Sequence, residues 1–253
     1  MPSDRNVFVV TGSSAGVGAA TVLLLAGRGS AVVVNYTKSA AQAEETAQRC
    51  VAAGGEALVV RADVAQDADC RRIAAAALDR WGRIDGLVNN AGTTKFASMR
   101  KLDALDAADF QSIYAVNTIG AYQMIRACEA PLRAARGAVV NVSSISSTMG
   151  LGSSVAYACS KGALNALTIS LARALGPDIR VNAVLPGFTE TRWLKQGLGD
   201  AYEPAREAYR KQSALQSTLA PEEVAEAIVS LLHARKITGQ LLTIDAGRAL
   251  GPL

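Results

Sequence analysis

Seven short runs of mostly aliphatic residues recur along this chain, separated by longer Ala- and Leu-rich segments, and this alternation is the strongest constraint on how it can fold. The runs fall at 7–10, 31–35, 57–61, 86–89, 138–142, 180–185 and 241–244. They are too short to be helices and nearly continuous in apolar residues, as strands covered on both faces must be. Helical character occupies 16–28, 39–53, 67–80, 106–134, 155–175 and 221–234. The last opens Ala220-Pro221-Glu222-Glu223, placing proline and two acids in a first turn, where the fixed φ and the helix dipole favour them. Strands alternating with helices predict right-handed βαβ units in an α/β fold. The expected architecture is one Rossmann-like domain over 1–253, a doubly wound parallel sheet of about seven strands with helices on both faces. Residues 188–218, with Trp193, Tyr202 and Tyr209 among glycine, proline and charges, break the pattern and are expected to insert above the sheet.

Composition removes several alternatives. No apolar run approaches the length that spans a bilayer, and the polar start at 1–6 lacks the apolar centre of a signal peptide, so a cytoplasmic location with no membrane partner is expected. Cys50, Cys70, Cys128 and Cys159 form no metal-ligand spacing, and His233 is the only histidine; no metal site and no Ser–His–acid triad is expected. A net charge of +4 from scattered Lys and Arg gives no nucleic-acid footprint.

The first strand runs into Thr11-Gly12-Ser13-Ser14-Ala15-Gly16-Val17-Gly18, and a helix follows. Glycines at such a turn let the backbone approach a pyrophosphate, whose charge is met by the helix N-terminus. The second strand is followed by Thr37-Lys38-Ser39, with no acid before Glu44. An acid there would accept the ribose 2′-hydroxyl of NAD, whereas Lys38 with Thr37 suits a 2′-phosphate, so NADP(H) is expected ahead of NAD(H). Further on, Tyr157 and Lys161 lie four apart on one helix face, behind the serine-bearing strand end Asn141-Val142-Ser143-Ser144. A phenol ionises near pH ~10, and a neighbouring ammonium favours its phenolate, which is how Tyr157 would enter the range of acid–base work.

The Gly-x-x-x-Gly-x-Gly turn, Asn89-Asn90-Ala91-Gly92, Ser144, Tyr157-Ala158-Cys159-Ser160-Lys161 and Leu185-Pro186-Gly187 occur in one order over essentially the whole chain. Together they resemble the short-chain dehydrogenase/reductase family, and most of all its 3-oxoacyl-(acyl carrier protein) reductases. The resemblance implies a catalytic set of Asn117, Ser144, Tyr157 and Lys161. Ser144 would position the substrate carbonyl and Tyr157 transfer the proton. Lys161 would hold the nicotinamide ribose and lower the Tyr157 pKa, with Asn117 supporting a water relay behind it. It implies cofactor contacts at Gly12, Ser14, Gly16, Val17, Gly18, Asp63, Val64, Asn90, Gly92, Pro186, Thr189 and Thr191, besides Thr37, Lys38, Tyr157 and Lys161. Ala15 and Ala246 depart from the family's usual residues, a base and a glycine respectively.

A small carbonyl or secondary alcohol is the substrate expected from this resemblance, with an acyl thioester as one form of it. Residues 188–218 would be the substrate lid, with Phe96, Met149, Leu151 and Trp193 as its apolar surroundings. Arg192 and Lys195 are the available carboxylate clamps, and Arg133 and Arg136 the basic residues on which an acidic carrier protein could dock, although Pro177-Asp178 stands where carrier-specific reductases carry a base. Family members pair through the two long helices into tetramers, so a homotetramer or homodimer is expected. A Rossmann-like methyltransferase would want an acid after the second strand, and a catalytically silent cofactor sensor would have no use for the four-residue set.

Overall fold

The computed structural model describes residues 5–251; residues 1–4, which carry most of the polar start read above, and 252–253 lie outside the described residues. Seven strands form one parallel sheet: β1 (Val7–Val10), β2 (Ala31–Tyr36), β3 (Glu56–Arg61), β4 (Gly86–Asn89), β5 (Ala138–Val142), β6 (Arg180–Pro186) and β7 (Leu241–Ile244). Their order across the sheet is β3-β2-β1-β4-β5-β6-β7, so the winding reverses between β1 and β4. In such sheets the crevice above that reversal, at the C-terminal strand ends, is where ligands bind.

The helices are α1 (Gly16–Ala26), α2 (Ala40–Ala52), α3 (Asp67–Trp81), α4 (Ala107–Tyr114), α5 (Ala121–Ala135), α6 (Ser146–Met149), α7 (Val155–Leu175), α8 (Arg192–Leu198), α9 (Tyr202–Gln212) and α10 (Pro221–His233). Alternation along each strand builds two cores. Val7, Val9, Val33, Leu87, Val139 and Val181 pack with α3, α5 and α7 on one face; Phe8, Val10, Val32, Val34, Val88 and Val140 pack with α1, α2 and α10 on the other. Burying each such aliphatic side chain contributes about 1.5–3 kcal/mol, which is why both faces must be covered.

The segment read as one helix over 106–134 is two helices joined by a π-helical stretch, Ala115–Gly120, that contains Asn117. A π turn widens the helix and releases local backbone pairing, a distortion that recurs at functional sites. Residues 188–218 hold α8 and α9, which single-sequence patterning does not show because α8 is short and α9 strongly polar. The long helices leave Ile119, Tyr122 and Ile169 exposed. Among the described residues no helix is long and apolar enough to cross a membrane, and no group of three His, Cys, Asp or Glu is placed to hold a metal ion.

Candidate active site

The turn after β1 is shaped by what its glycines leave out. Gly12 and Gly16 have φ of +61° and +57°, a region that strains residues bearing a Cβ. A Cβ on Gly12 would lie 2.9 Å from Ala91 Cα, and one on Gly18 would lie 2.5 Å from Asn90 Nδ2. The turn thus presses backbone-to-backbone against the loop after β4. Asn35, buried at the end of β2, sets its height: the Gly12 amide donates to Asn35 Oδ1 (3.0 Å), and Asn35 Nδ2 donates to the carbonyls of Val60 (3.2 Å) and Ala62 (3.1 Å). The first turn of α1 carries no acid, so its positive end is uncompensated. Ser14 and Val17 flank it, half-buried. A tight glycine turn leading into a helix N-terminus that no acid compensates fits the pyrophosphate of a dinucleotide.

Along the edge from this turn, Thr37 and Lys38 stand exposed between β2 and α2. Asp63 is exposed after β3 with one carboxylate oxygen engaged by the Ala65 amide (3.0 Å), while Val64 is buried. Asn90 proves to be a brace. Its Nδ2 donates to the carbonyls of Thr11 (2.9 Å) and Gly12 (3.0 Å), and the Thr11 hydroxyl accepts from the Asn90 and Ala91 amides, both at 3.0 Å. Gly92 opens the loop towards the catalytic set: a Cβ there would lie 3.5 Å from Asn117 Oδ1 and 3.7 Å from Lys161 Nζ.

Three elements, the end of β5, α7 and the π-helical stretch, bring Ser144, Tyr157, Lys161 and Asn117 together. Of the two adjacent serines after β5, Ser143 is buried and spent, donating to Asn165 Oδ1 (2.7 Å). Ser144 stays near the Tyr157 phenol, its hydroxyl donating to the Ser146 hydroxyl (3.0 Å) and accepting from the Ser146 amide (3.1 Å). Ser154 caps α7 by accepting from the Tyr157 amide (3.3 Å), which fixes the helix start and hence the phenol. One turn on, buried Lys161 donates to the Val142 carbonyl (2.7 Å), and its ammonium lies 5.6 Å from the centroid of the Tyr157 ring.

Asn117 and Lys161 are both anchored within the protein. Asn117 has no polar atom to spare in its side chain: Oδ1 accepts from the Thr93 amide (2.8 Å), and Nδ2 donates to the Thr93 carbonyl and Ser160 Oγ, both at 3.0 Å. Its side-chain amide is therefore a clasp between the loop after β4 and α7. Burial pushes the phenol up to about 12, opposed by its hydrogen bond to Ser144, and pushes the Lys161 ammonium down to about 8. Both groups sit where their charged forms are poorly solvated.

The chain leaving β6 closes the far side. Pro186 ends the strand; Thr189 is buried and bridges to Leu219. Thr191 caps α8, and its Cγ2 would meet a Cβ on Gly16 at 3.4 Å, so α8 begins against the glycine turn. Arg192 donates to Gln42 on α2 (2.8 Å), Lys195 lies over the Tyr202 ring (5.8 Å), and Glu190 pairs with Arg206 (2.7 Å) and Thr218. Neither candidate clamp, Arg192 nor Lys195, is directed at the phenol. Arg133 and Arg136 lie just before β5, at the edge of the sheet opposite Ser144, and Arg133 is occupied by Glu129 (3.0 Å) and Asp178. The sequence reading passed over Asn35, Thr11, Ser154, Asn165 and Thr93, which hold the site without touching its opening. Only an N-cap Ser three residues before Tyr157 carried a local signal.

This is the arrangement of a nucleotide-binding α/β sheet with a phenol, a hydroxyl and an ammonium at one strand end. A family model described as "Enoyl-(Acyl carrier protein) reductase" matches residues 12–249. The chain belongs to the short-chain dehydrogenase/reductase family. It is similar to the Streptomyces violaceoruber protein named "Granaticin polyketide synthase putative ketoacyl reductase 2", 43% identical over 98% of this chain and 97% of the relative. It is 33% identical to a 3-oxoacyl-[acyl-carrier-protein] reductase of Synechocystis, over 96% and 97% of the two chains. Among solved structures, a short-chain dehydrogenase/reductase from Serratia marcescens superposes with a TM-score of 0.88 at 33% identity, over 98% of this chain and all of the other. As a member of that oxidoreductase family this chain is an enzyme that uses a nicotinamide cofactor.

Proposed function

We propose that this short-chain reductase is NADP(H)-dependent and interconverts a carbonyl compound and its secondary alcohol, with Tyr157 as the proton-transfer residue. The observation that carries the reading is the Tyr157 phenol placed beside the Ser144 hydroxyl, with the buried Lys161 ammonium 5.6 Å from its ring. Bound nicotinamide would supply the hydride to the carbonyl carbon. At neutral pH a phenol pushed up to about 12 is fully protonated, so Tyr157 is ready to donate as charge develops on the carbonyl oxygen. Ser144 is close enough to the same oxygen to share it by a second hydrogen bond. Lys161 spends one of its three N–H donors on Val142, leaving two for the nicotinamide ribose, and its charge favours the phenolate left after transfer. Asn117 keeps the Thr93 loop and α7 in register so that these groups stay aligned.

The glycine turn would hold the pyrophosphate through Gly12, Ser14, Gly16, Val17 and Gly18. Asp63 and Val64 would flank the adenine, Asn90 and Gly92 the ribose side, and Pro186, Thr189 and Thr191 the carboxamide. Lys38 and Thr37, with no acid beside them, favour a 2′-phosphate over a bare ribose hydroxyl. Residues 188–218 would act as the substrate lid. Exposed Ile119, Tyr122 and Ile169 on the long helices support assembly as a homotetramer or homodimer. Four free cysteines suit a reducing, cytoplasmic setting.

The deciding experiment is Tyr157→Phe. Ketone-dependent NADPH oxidation should fall by about 10²–10⁴-fold, the share general acid catalysis supplies, while NADPH affinity changes less than about twofold. Turnover retained in this variant removes Tyr157 from the mechanism.

A further inference from the structure

The wall facing the phenol points to a substrate class. Trp193 and Gly197 lie four apart on α8 and so share a face. Phe96, from the loop after β4, seats on that face: its ring lies 5.5 Å from that of Trp193, and a Cβ on Gly197 would meet it at 2.0 Å. Glycine at 197 is thus what admits the Phe96 ring. Trp193 also lies 6.4 Å from the Tyr157 ring, yet 45% of it remains exposed. A large apolar ring is left open beside the reactive hydroxyl, backed by a second ring that limits its swing.

The neighbouring charges are spoken for. Lys95, one residue from Phe96, pairs with Asp109 (2.7 Å); Arg192, Lys195 and Glu190 on either side of Trp193 are bound to Gln42, the Tyr202 ring and Arg206. Apart from Lys161, whose free donors are assigned above to the nicotinamide ribose, the phenol is neighboured by hydroxyls at Ser144 and Ser146 and by Gly152, whose Cβ position lies 3.8 Å from Tyr157 Cδ1. A carboxylate or phosphate entering here would lose its hydration without gaining a partner.

Resting on the proposed carbonyl reduction, we infer that the site takes neutral, planar ring ketones, and that the indole of Trp193 selects them by packing against the ring face. The face of an aromatic ring is the surface that a flat substrate matches best and an acyclic chain least.

Three neutral ketones separate the possibilities: 2-tetralone (flat, bicyclic), trans-2-decalone (the same size, saturated) and ethyl acetoacetate (acyclic). Steady-state kcat and KM are measured with NADPH for wild type, Trp193→Ala and Trp193→Phe. Wild type should favour 2-tetralone over both others in kcat/KM. Trp193→Ala should lower the ratio of 2-tetralone to ethyl acetoacetate by about threefold to tenfold, mainly through the KM for 2-tetralone, and Trp193→Phe should restore most of it. Equal losses on all three ketones would mean that Trp193 merely packs α8, and would overturn the inference, as would a wild-type preference for the acyclic ester. If none of the three supports NADPH oxidation, carbonyl reduction itself fails, a result distinct from lost selectivity.

Discussion

Asn35 holds Gly12 in place: the Gly12 amide donates to its Oδ1 at 3.0 Å, while its Nδ2 reaches back to two carbonyls at the end of β3. One buried amide therefore ties the nucleotide turn to the two strands beside it. Asn35→Leu would keep the volume and leave a backbone amide and two carbonyls short of partners. The variant should lose about 1–3 kcal/mol of stability, read as a lower denaturation midpoint, and bind NADPH more weakly by calorimetry. Unchanged affinity would show that the turn keeps its shape without this brace.

Gly12→Ala tests the same turn from above. The new methyl would sit 2.9 Å from Ala91 Cα at a φ of +61°. The left-handed conformation costs roughly 1–2 kcal/mol for a non-glycine residue, before the contact is relieved. NADPH binding should fall by at least about tenfold, one decade for each ~1.4 kcal/mol.

Cofactor choice should turn on Lys38. Lys38→Asp places a carboxylate where a 2′-phosphate would come to rest and where a free ribose hydroxyl would find an acceptor. The ratio of kcat/KM with NADPH to that with NADH should drop by roughly two orders of magnitude, the scale of a ~3 kcal/mol change from a charge-assisted bond to repulsion. A ratio unmoved by this substitution assigns the phosphate to other residues.

The pH profile follows from Lys161. Its pKa is lowered to about 8 by burial, so the ammonium is present at pH 7 and lost as pH rises through that value, well before Tyr157 near 12 loses its proton. Reductive kcat/KM should be level near neutrality and decline across pH ~8 while the phenol is still protonated, as expected when an essential group on the free enzyme titrates. The same shift has a stability sign. A lysine depressed in the fold is disfavoured in its charged form, so its own contribution to stability is greatest above the unfolded pKa and falls as pH drops towards about 8. Lys161→Met should abolish that slope.

Much of this was legible in the chain. Continuous apolar runs such as Val32–Val34 can only be strands covered on both faces, and the glycine turn and the Tyr157/Lys161 spacing follow from local geometry. What was not legible depended on partners far away in sequence. Ser143 and Ser144 are the same residue type side by side, and only Asn165, 22 residues from Ser143, shows which one is consumed by the core. Asn90 reads as a cofactor contact and Asn117 as a catalytic residue, but that the carbonyls of Thr11, Gly12 and Thr93 engage their amides shows only in the fold. The polar helix α9 has no apolar stripe long enough to announce itself and is held by Tyr202 and Tyr209 against Phe188.

Thr191 touches the glycine turn at Gly16, and Trp193 follows two residues later on the same short helix. Should a nucleotide in that turn shift α8 and its indole, thermodynamic reciprocity requires that nucleotide and ketone alter each other's dissociation constants by one common factor. The ketone's affinity would then be a property of the binary complex, not of the free protein.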